Sequence, residues 1–243
     1  VRPTPSPNIW RRPDLYEQLN RAADPQRLVA STLDRLLGSR PSPVGLAVDV
    51  GCGTGYHLPM LAARARHVIG VEPHAGLVAR AGDRVRRARL DQQVQVRSGV
   101  AQRLPVESAT VDLVFSYWAY FFGPGCEPGL AEAERVLAPG GLQVAVDLDV
   151  GATHGYAAWF AASGSGVRAD RTADFFRQQG WQEEPLAVVW SFSDRRVLAD
   201  VLGIEFPPQV AARALRETVG SSVAVPTVLR WRRVPPRSVG GAV

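Results

Sequence analysis

Apolar positions recur at helical spacing in two early blocks, DLYEQLNRA and, after Asp24-Pro25, PQRLVASTLDRLL. In the second block Leu28, Leu33, Leu36 and Leu37 share a stripe, with Asp24 as N-cap and Pro25 in the first turn. GSRPSPVG breaks the pattern, and the spacing then changes. LAVDV is a short continuous apolar run and predicts a fully buried strand, followed by a helix over 56–66. HVIGVE, VQVRS, VDLVFSYW and LQVAVDLDV predict further strands. Helices are expected over 75–90 and 129–137, and a turn at Pro139-Gly140-Gly141. In the tail the expected elements are a helix over 171–179 ending at Gly180, a strand PLAVVWSF, helices over 194–203 and 208–219, and a last strand TVLRWRRV. Residues 151–170, with Gly and Ser around aromatics, read as an inserted loop or short helix over an active site.

Strands alternating with helices imply crossover units and a parallel sheet covered on both faces. No repeat of solenoid or propeller period is present. The expected organisation is one domain, with a helical cap over 1–43, flexible at its Pro-rich residues 1–8, and a core over 44–243.

Composition narrows the class only a little. Hydrophobic content of 46% and charged content of 21% are those of a soluble globular chain. No apolar stretch approaches the ~20 residues that span a bilayer, and VRPTPSPNIWRRP lacks a secretory core, so a cytoplasmic protein without a membrane partner is expected. Cys52 and Cys126 are too few for a disulfide framework and have no metal-ligand spacing. The net charge of +5 rests on 28 basic residues, all arginine, which fits a GC-rich genome better than a binding function. Their densest cluster, Arg84, Arg86, Arg87 and Arg89, reads as a solvated helix face, so nucleic acid is not the expected partner.

The ten residues VDVGCGTGYH, 48–57, concentrate the candidate chemistry. A Walker loop needs Lys followed by Ser or Thr, and the chain contains no lysine. The dinucleotide fingerprint needs a glycine where Tyr56 stands. Asp49-Val50-Gly51-Cys52-Gly53-Thr54-Gly55 instead resembles motif I of class I S-adenosylmethionine-dependent methyltransferases. Three further stretches fit in order: the acid Glu72 ending VIGVE, SGVAQRLP before VDLV, and ERVL before APGG. The resemblance covers roughly residues 44–150.

It implies a Rossmann-like α/β fold. Its sheet has seven mostly parallel strands, the last antiparallel, with helices on both faces and an N-terminal helical lid. It also implies S-adenosylmethionine as cofactor, with S-adenosylhomocysteine as product. Gly51, Cys52, Gly53 and Gly55 would pass under the cofactor's amino acid end, Asp49 would meet its ammonium, and helix-start amides would favour its carboxylate. Glu72, beside Pro73, would accept from the ribose hydroxyls. Val100, Ala101 and Gln102 would flank adenine, with Val100 standing where the family commonly has Asp. Ser116 and Tyr117 at the end of the fourth strand complete the cofactor set.

Methyl transfer is an in-line displacement governed by positioning. The run Ser116–Phe122 lacks the Asn/Asp-Pro-Pro-aromatic motif of enzymes that methylate base or amide nitrogen, and suggests a partly apolar pocket. The expected catalytic candidates are Tyr117 and His154, the latter as a general base after the fifth strand. Trp10, Tyr16, Tyr120, Asp149 and Tyr156 are expected to face the acceptor, with Trp10 and Tyr16 in a lid. His57 is expected near the cofactor's amino acid end. The leading expectation is a small-molecule methyltransferase of specialised metabolism. Methylation of RNA or a peptide, and a non-catalytic cofactor-binding scaffold, remain as alternatives.

Overall fold

A computed structural model describes residues 7–38, 43–119 and 123–235. Three helices come first: α1 (Pro7–Arg11), α2 (Pro13–Ala22) and α3 (Leu28–Leu37). The N-cap of α3 is Arg27 rather than the expected Asp24, although the Asp24 side chain still accepts from the first amides, those of Leu28 at 2.7 Å and Val29 at 2.9 Å. The helix begins three residues later than Pro25 because Asp24 and Arg27 take positive φ, 47° and 58°, and turn the chain first.

The alternating unit follows as β1 (Val44–Val50), α4 (Leu58–Ala62), β2 (Ala65–Glu72), α5 (Ala75–Arg87), β3 (Val94–Ser98) and β4 (Val111–Tyr117). It continues through α6 (Glu127–Val136), β5 (Leu137–Leu148), α7 (Gly155–Ala162) and α8 (Ala169–Gln178). β6 (Gln182–Ser191), α9 (Arg195–Glu205), α10 (Pro208–Glu217) and β7 (Ser222–Arg233) complete the chain. The strands form one sheet in the order β3-β2-β1-β4-β5-β7-β6, parallel except for β7, which runs antiparallel to both β5 and β6.

Alternate residues of the central strands serve opposite faces, as the pleat requires. Ala47, Leu113 and Phe115 belong to one buried cluster, and Val48, Val50 and Val114 to the other. Both clusters are covered by helices, which explains why LAVDV reads as an unbroken apolar run rather than an alternation. Several expected elements differ: β7 begins at Ser222 rather than Thr227, and residues 151–170, expected over an active site, hold α7 and line none of the main cavity. The helix expected over 56–66 is only Leu58–Ala62, because Ala65 already pairs with Val44 in β2. The expected turn at 139–141 lies inside β5, where the β4 pairing shifts register between Val111 and Leu113.

The strand order reverses between β1 and β4, and a crevice opens outside the carboxyl ends of strands at such a point. Helices α1 and α2 lie over it, with Ile9, Trp10, Tyr16, Leu19 and Asn20 reaching its interior. Among the described residues no helix is long and apolar enough to cross a membrane.

Candidate functional site

β1 delivers the chain into a tight loop. The amides of Gly51 and Cys52 both donate to the carbonyl of Val71 on β2, at 2.8 and 3.1 Å, and Gly55 N–H closes onto Cys52 C=O at 2.8 Å. Gly53 sits at φ 56°, and a Cβ there would stand 2.9 Å from Cδ1 of Ile9 in α1. The loop therefore needs glycine here for its conformation, and a Cβ would also press on the end of the Ile9 side chain.

Two carboxylates flank this loop. Glu72, at the end of β2, accepts from Gly53 N–H at 3.1 Å and His74 N–H at 2.9 Å, one amide on each oxygen. Burial raises its carboxyl while the two amides pull it back down. Each oxygen keeps a second lone pair for a further donor. Asp49 is fully buried behind the loop, and its Oδ2 has no hydrogen-bond partner among the described residues. Burial, with the Glu72 charge nearby, pushes its carboxyl up to about 7.

The crevice holds a cavity of about 320 Å³. The glycine loop, Glu72 and Pro73 form its floor, and Gly99 to Gln102 one side. Trp10, stacked on His74 with centroids 5.1 Å apart, roofs it. Much of the remaining wall is aromatic, His57, Tyr117, Trp118 and Trp190, with Ala119, Pro124, Gly125, Cys126 and Gly129 beside them. His57 stacks on Tyr117 at 4.6 Å, and Trp118 packs on Trp190 at 5.5 Å. Burial and the Arg84 charge push the His57 imidazole down to about 4, and burial raises the Tyr117 phenol. Among the described residues no group of three or more His, Cys, Asp or Glu could hold a metal ion.

Most of the sequence-derived site residues meet here. Trp10, Tyr16, Gly51, Cys52, Gly53, Glu72, Pro73, Val100, Ala101, Gln102 and Tyr117 all line the cavity. Others do not. Gly55 faces away, where a Cβ would meet Ala81 of α5 at 3.1 Å, so its role is packing of loop on helix. Ser116 is buried between β4 and β5, near the Val144 carbonyl at 3.5 Å. Asp149 turns back to accept from Gly151 N–H at 2.9 Å. Tyr156 stands behind the aromatic wall, its hydroxyl donating to Glu205 at 2.6 Å. His154 is exposed at the N-terminus of α7 and outside the cavity lining, so the expected general base is misplaced. Tyr120 lies outside the described residues, as do residues 1–6. The expected helix-start amides also fall away, because α4 is only five residues long.

Trp190 is among the lining residues that sequence reasoning missed, as are Leu19, Asn20 and Cys126, while Trp118 was indicated only as part of the aromatic run 116–122. Trp118 ends an aromatic run that reads as continuous strand, yet it adopts φ 53°, rare for a bulky residue and a mark of local strain at a site. Trp190 comes from β6 at the far end of the chain, and no local signal announces that contact.

Comparison with known proteins adds independent support. Residues 48–145 match the family described as a methyltransferase domain. A 24-methylenesterol C-methyltransferase of Oryza sativa subsp. japonica is 34% identical over 101 residues, 41% of this chain and 28% of that protein. A 27-O-demethylrifamycin SV methyltransferase of Amycolatopsis mediterranei is 34% identical over 110 residues, 44% of this chain and 40% of that protein. The chain thus spans less than half the length of these relatives. Among solved structures, the [4+2]-cyclase SpnF superposes with a TM-score of 0.61 at 20% identity, over 96% of this chain and 98% of that one. Residues 48–145, which hold the glycine loop and the acid ending β2, thus match a methyltransferase domain, and the seven-stranded sheet with its antiparallel β7 is similar to that of class I S-adenosylmethionine-dependent methyltransferases.

Proposed function

We propose that the protein transfers a methyl group from S-adenosylmethionine to a small apolar acceptor bound in the aromatic half of the cavity. The carrying observation is the pair of carboxylates at the glycine loop: Glu72 fixed by two amides with lone pairs to spare, and Asp49 buried with an oxygen unpartnered. A ligand bearing two vicinal hydroxyls and an ammonium answers both needs. Glu72 would hold the ribose, the glycine loop in front of Asp49 the amino acid end, and Val100, Ala101 and Gln102 the adenine, with Trp10 above. When bound, the cofactor supplies an electrophilic methyl on its sulfonium. The chain's own residues orient the acceptor and exclude water around it.

A small acceptor is favoured because residues of α1 and α2 line the crevice and leave a recessed pocket with aromatic side chains in its wall. Relatives named for a sterol and for a rifamycin are consistent with such an acceptor and with specialised metabolism. In this reading the N-terminal helices form a cap up to residue 43, and the remainder is the methyl-transfer domain. The test is parallel calorimetric titration with S-adenosylmethionine, S-adenosylhomocysteine and NAD. Saturable binding of the first two alone is expected; binding of NAD alone would overturn the assignment.

A further inference from the structure

Resting on the methyl-transfer reading, we propose that the acceptor is an uncharged flat hydroxyl compound whose hydroxyl donates to the imidazole of His57. His57 stands on the wall shared by the main cavity and a side cavity of about 160 Å³. Tyr117 stacks on one face of its ring, and Tyr56 meets it edge-on at 5.3 Å. These contacts fix the ring without using its nitrogens. Neither nitrogen has a hydrogen-bond partner among the described residues, and neither is sealed from the cavities.

The charges select against other acceptors. Among the described residues no arginine or aspartate lines the main cavity, and its one carboxylate, Glu72, is engaged by two amides. Arg84, the cation facing His57 from α5, is committed to Glu17 and to the Thr54 carbonyl at 3.0 Å. On the side-cavity flank, Asp24 is occupied in capping α3, and Arg27 is the remaining charge. A phosphorylated or carboxylate acceptor would find no counter-ion in the main cavity, and an alkylammonium no free carboxylate there. A flat neutral ring instead finds Tyr117, Trp118 and Trp190.

The proton balance suits an imidazole held neutral. As the acceptor oxygen bonds to the methyl carbon, the carbon–sulfur bond breaks with its electron pair left on sulfur. The hydroxyl proton passes to His57, which becomes imidazolium and returns the proton to water. An oxygen gaining a third bond is a strong acid, so even a weakly basic imidazole accepts its proton. Because His57 is depressed to about 4, it is unprotonated and ready at neutral pH.

The test is calorimetric titration of the protein saturated with S-adenosylhomocysteine, using 2-naphthol, 2-methoxynaphthalene and 2-naphthyl phosphate. The expected result is that 2-naphthol binds and the phosphate does not. His57→Phe should weaken 2-naphthol by several-fold to about tenfold, the worth of one hydrogen bond, and leave the ether and S-adenosylhomocysteine unchanged. His57→Gln, which keeps an acceptor oxygen, should recover part of the loss. Failure of the wild type to bind S-adenosylhomocysteine would defeat the methyl-transfer reading itself. If that ligand binds, three results overturn only the present inference: no binding of 2-naphthol, equal binding of the phosphate, or an effect of His57→Phe on S-adenosylhomocysteine rather than on 2-naphthol.

Discussion

Asp49 and Glu72 are both buried acids near the glycine loop, yet they differ in what holds them. Two amides oppose the upward push of burial on the Glu72 carboxyl, whereas Asp49 has an unpartnered oxygen and retains a proton up to about pH 7. Its folded value lies above the ordinary 3.8, so its contribution to the stability of the free protein is lost as pH rises from there through about 7. A ligand ammonium reverses the preference and favours the carboxylate. S-adenosylhomocysteine affinity should therefore strengthen as pH rises toward and past 7, and proton release should accompany binding below it. Titrations in two buffers of different ionisation enthalpy measure that release; Asp49→Asn should abolish it and bind more weakly. Glu72→Ala removes the ribose acceptors, each hydrogen bond to a charged group contributing about 1.5–3 kcal/mol, so affinity should fall tenfold or more, while the stranded Gly53 and His74 amides should lower the stability of the free protein. Both acids were legible in the sequence because Asp49 stands near the end of an apolar run two residues before the first loop glycine and Glu72 ends one beside Pro73. His57 was legible as a residue but not in its role, since only the fold brings Tyr117 against it.

At the level of elements, the cap is tied to the loop by one cluster. Glu17 of α2 receives Arg84 of α5 and, at 3.0 Å, the Thr54 hydroxyl, while Arg84 also donates to the Thr54 carbonyl. This places Tyr16, Leu19 and Asn20 of the same helix in the cavity wall. Glu17→Ala should cost about 1–3 kcal/mol, as for a hydrogen bond to a charged group, and also weaken S-adenosylhomocysteine; a cycle with Arg84→Ala, read by chemical unfolding and calorimetry, should show strong coupling. A second junction lies at the start of α7, where Gly155 has φ 57° and a Cβ would stand 2.2 Å from the Ala224 carbonyl oxygen of β7. Gly155→Ala should destabilise by more than the roughly 1–3 kcal/mol of backbone strain alone, visible as a lowered unfolding midpoint. The order of strands and helices could be read from apolar periodicity because the parallel sheet is buried on both faces. The shortening of α4 could not, because pairing of Ala65 with Val44 overrides a locally helical pattern.

For the molecule as a whole, one buried cation joins the two halves of the sheet. Arg230 on β7 is 4% exposed, lies over the Phe176 ring of α8 at 4.4 Å, bonds Glu183 of β6 at 3.2 Å, and faces Asp147 of β5 at 3.9 Å. The last separation is too long for a hydrogen bond, and burial outweighs Arg230, leaving the Asp147 carboxyl raised to about 6. Above that pH Asp147 is an ionised group held in the core with only Arg230 opposite it. Arg230→Ala should cost about 3–5 kcal/mol at neutral pH, because it leaves that charge uncompensated. Replacing both residues, as in Arg230→Met with Asp147→Leu, should recover most of the loss. The penalty of the single variant should also shrink as pH falls toward about 6 and level off below it, because Asp147, lowered by Arg230 in the wild type, takes up its proton at a higher pH in the variant. Denaturant unfolding of the wild type and both variants across that range measures all three effects. A penalty that did not change with pH would mean that packing of the Arg230 stem on Phe176, rather than its charge, joins β6 and β7 to the parallel sheet.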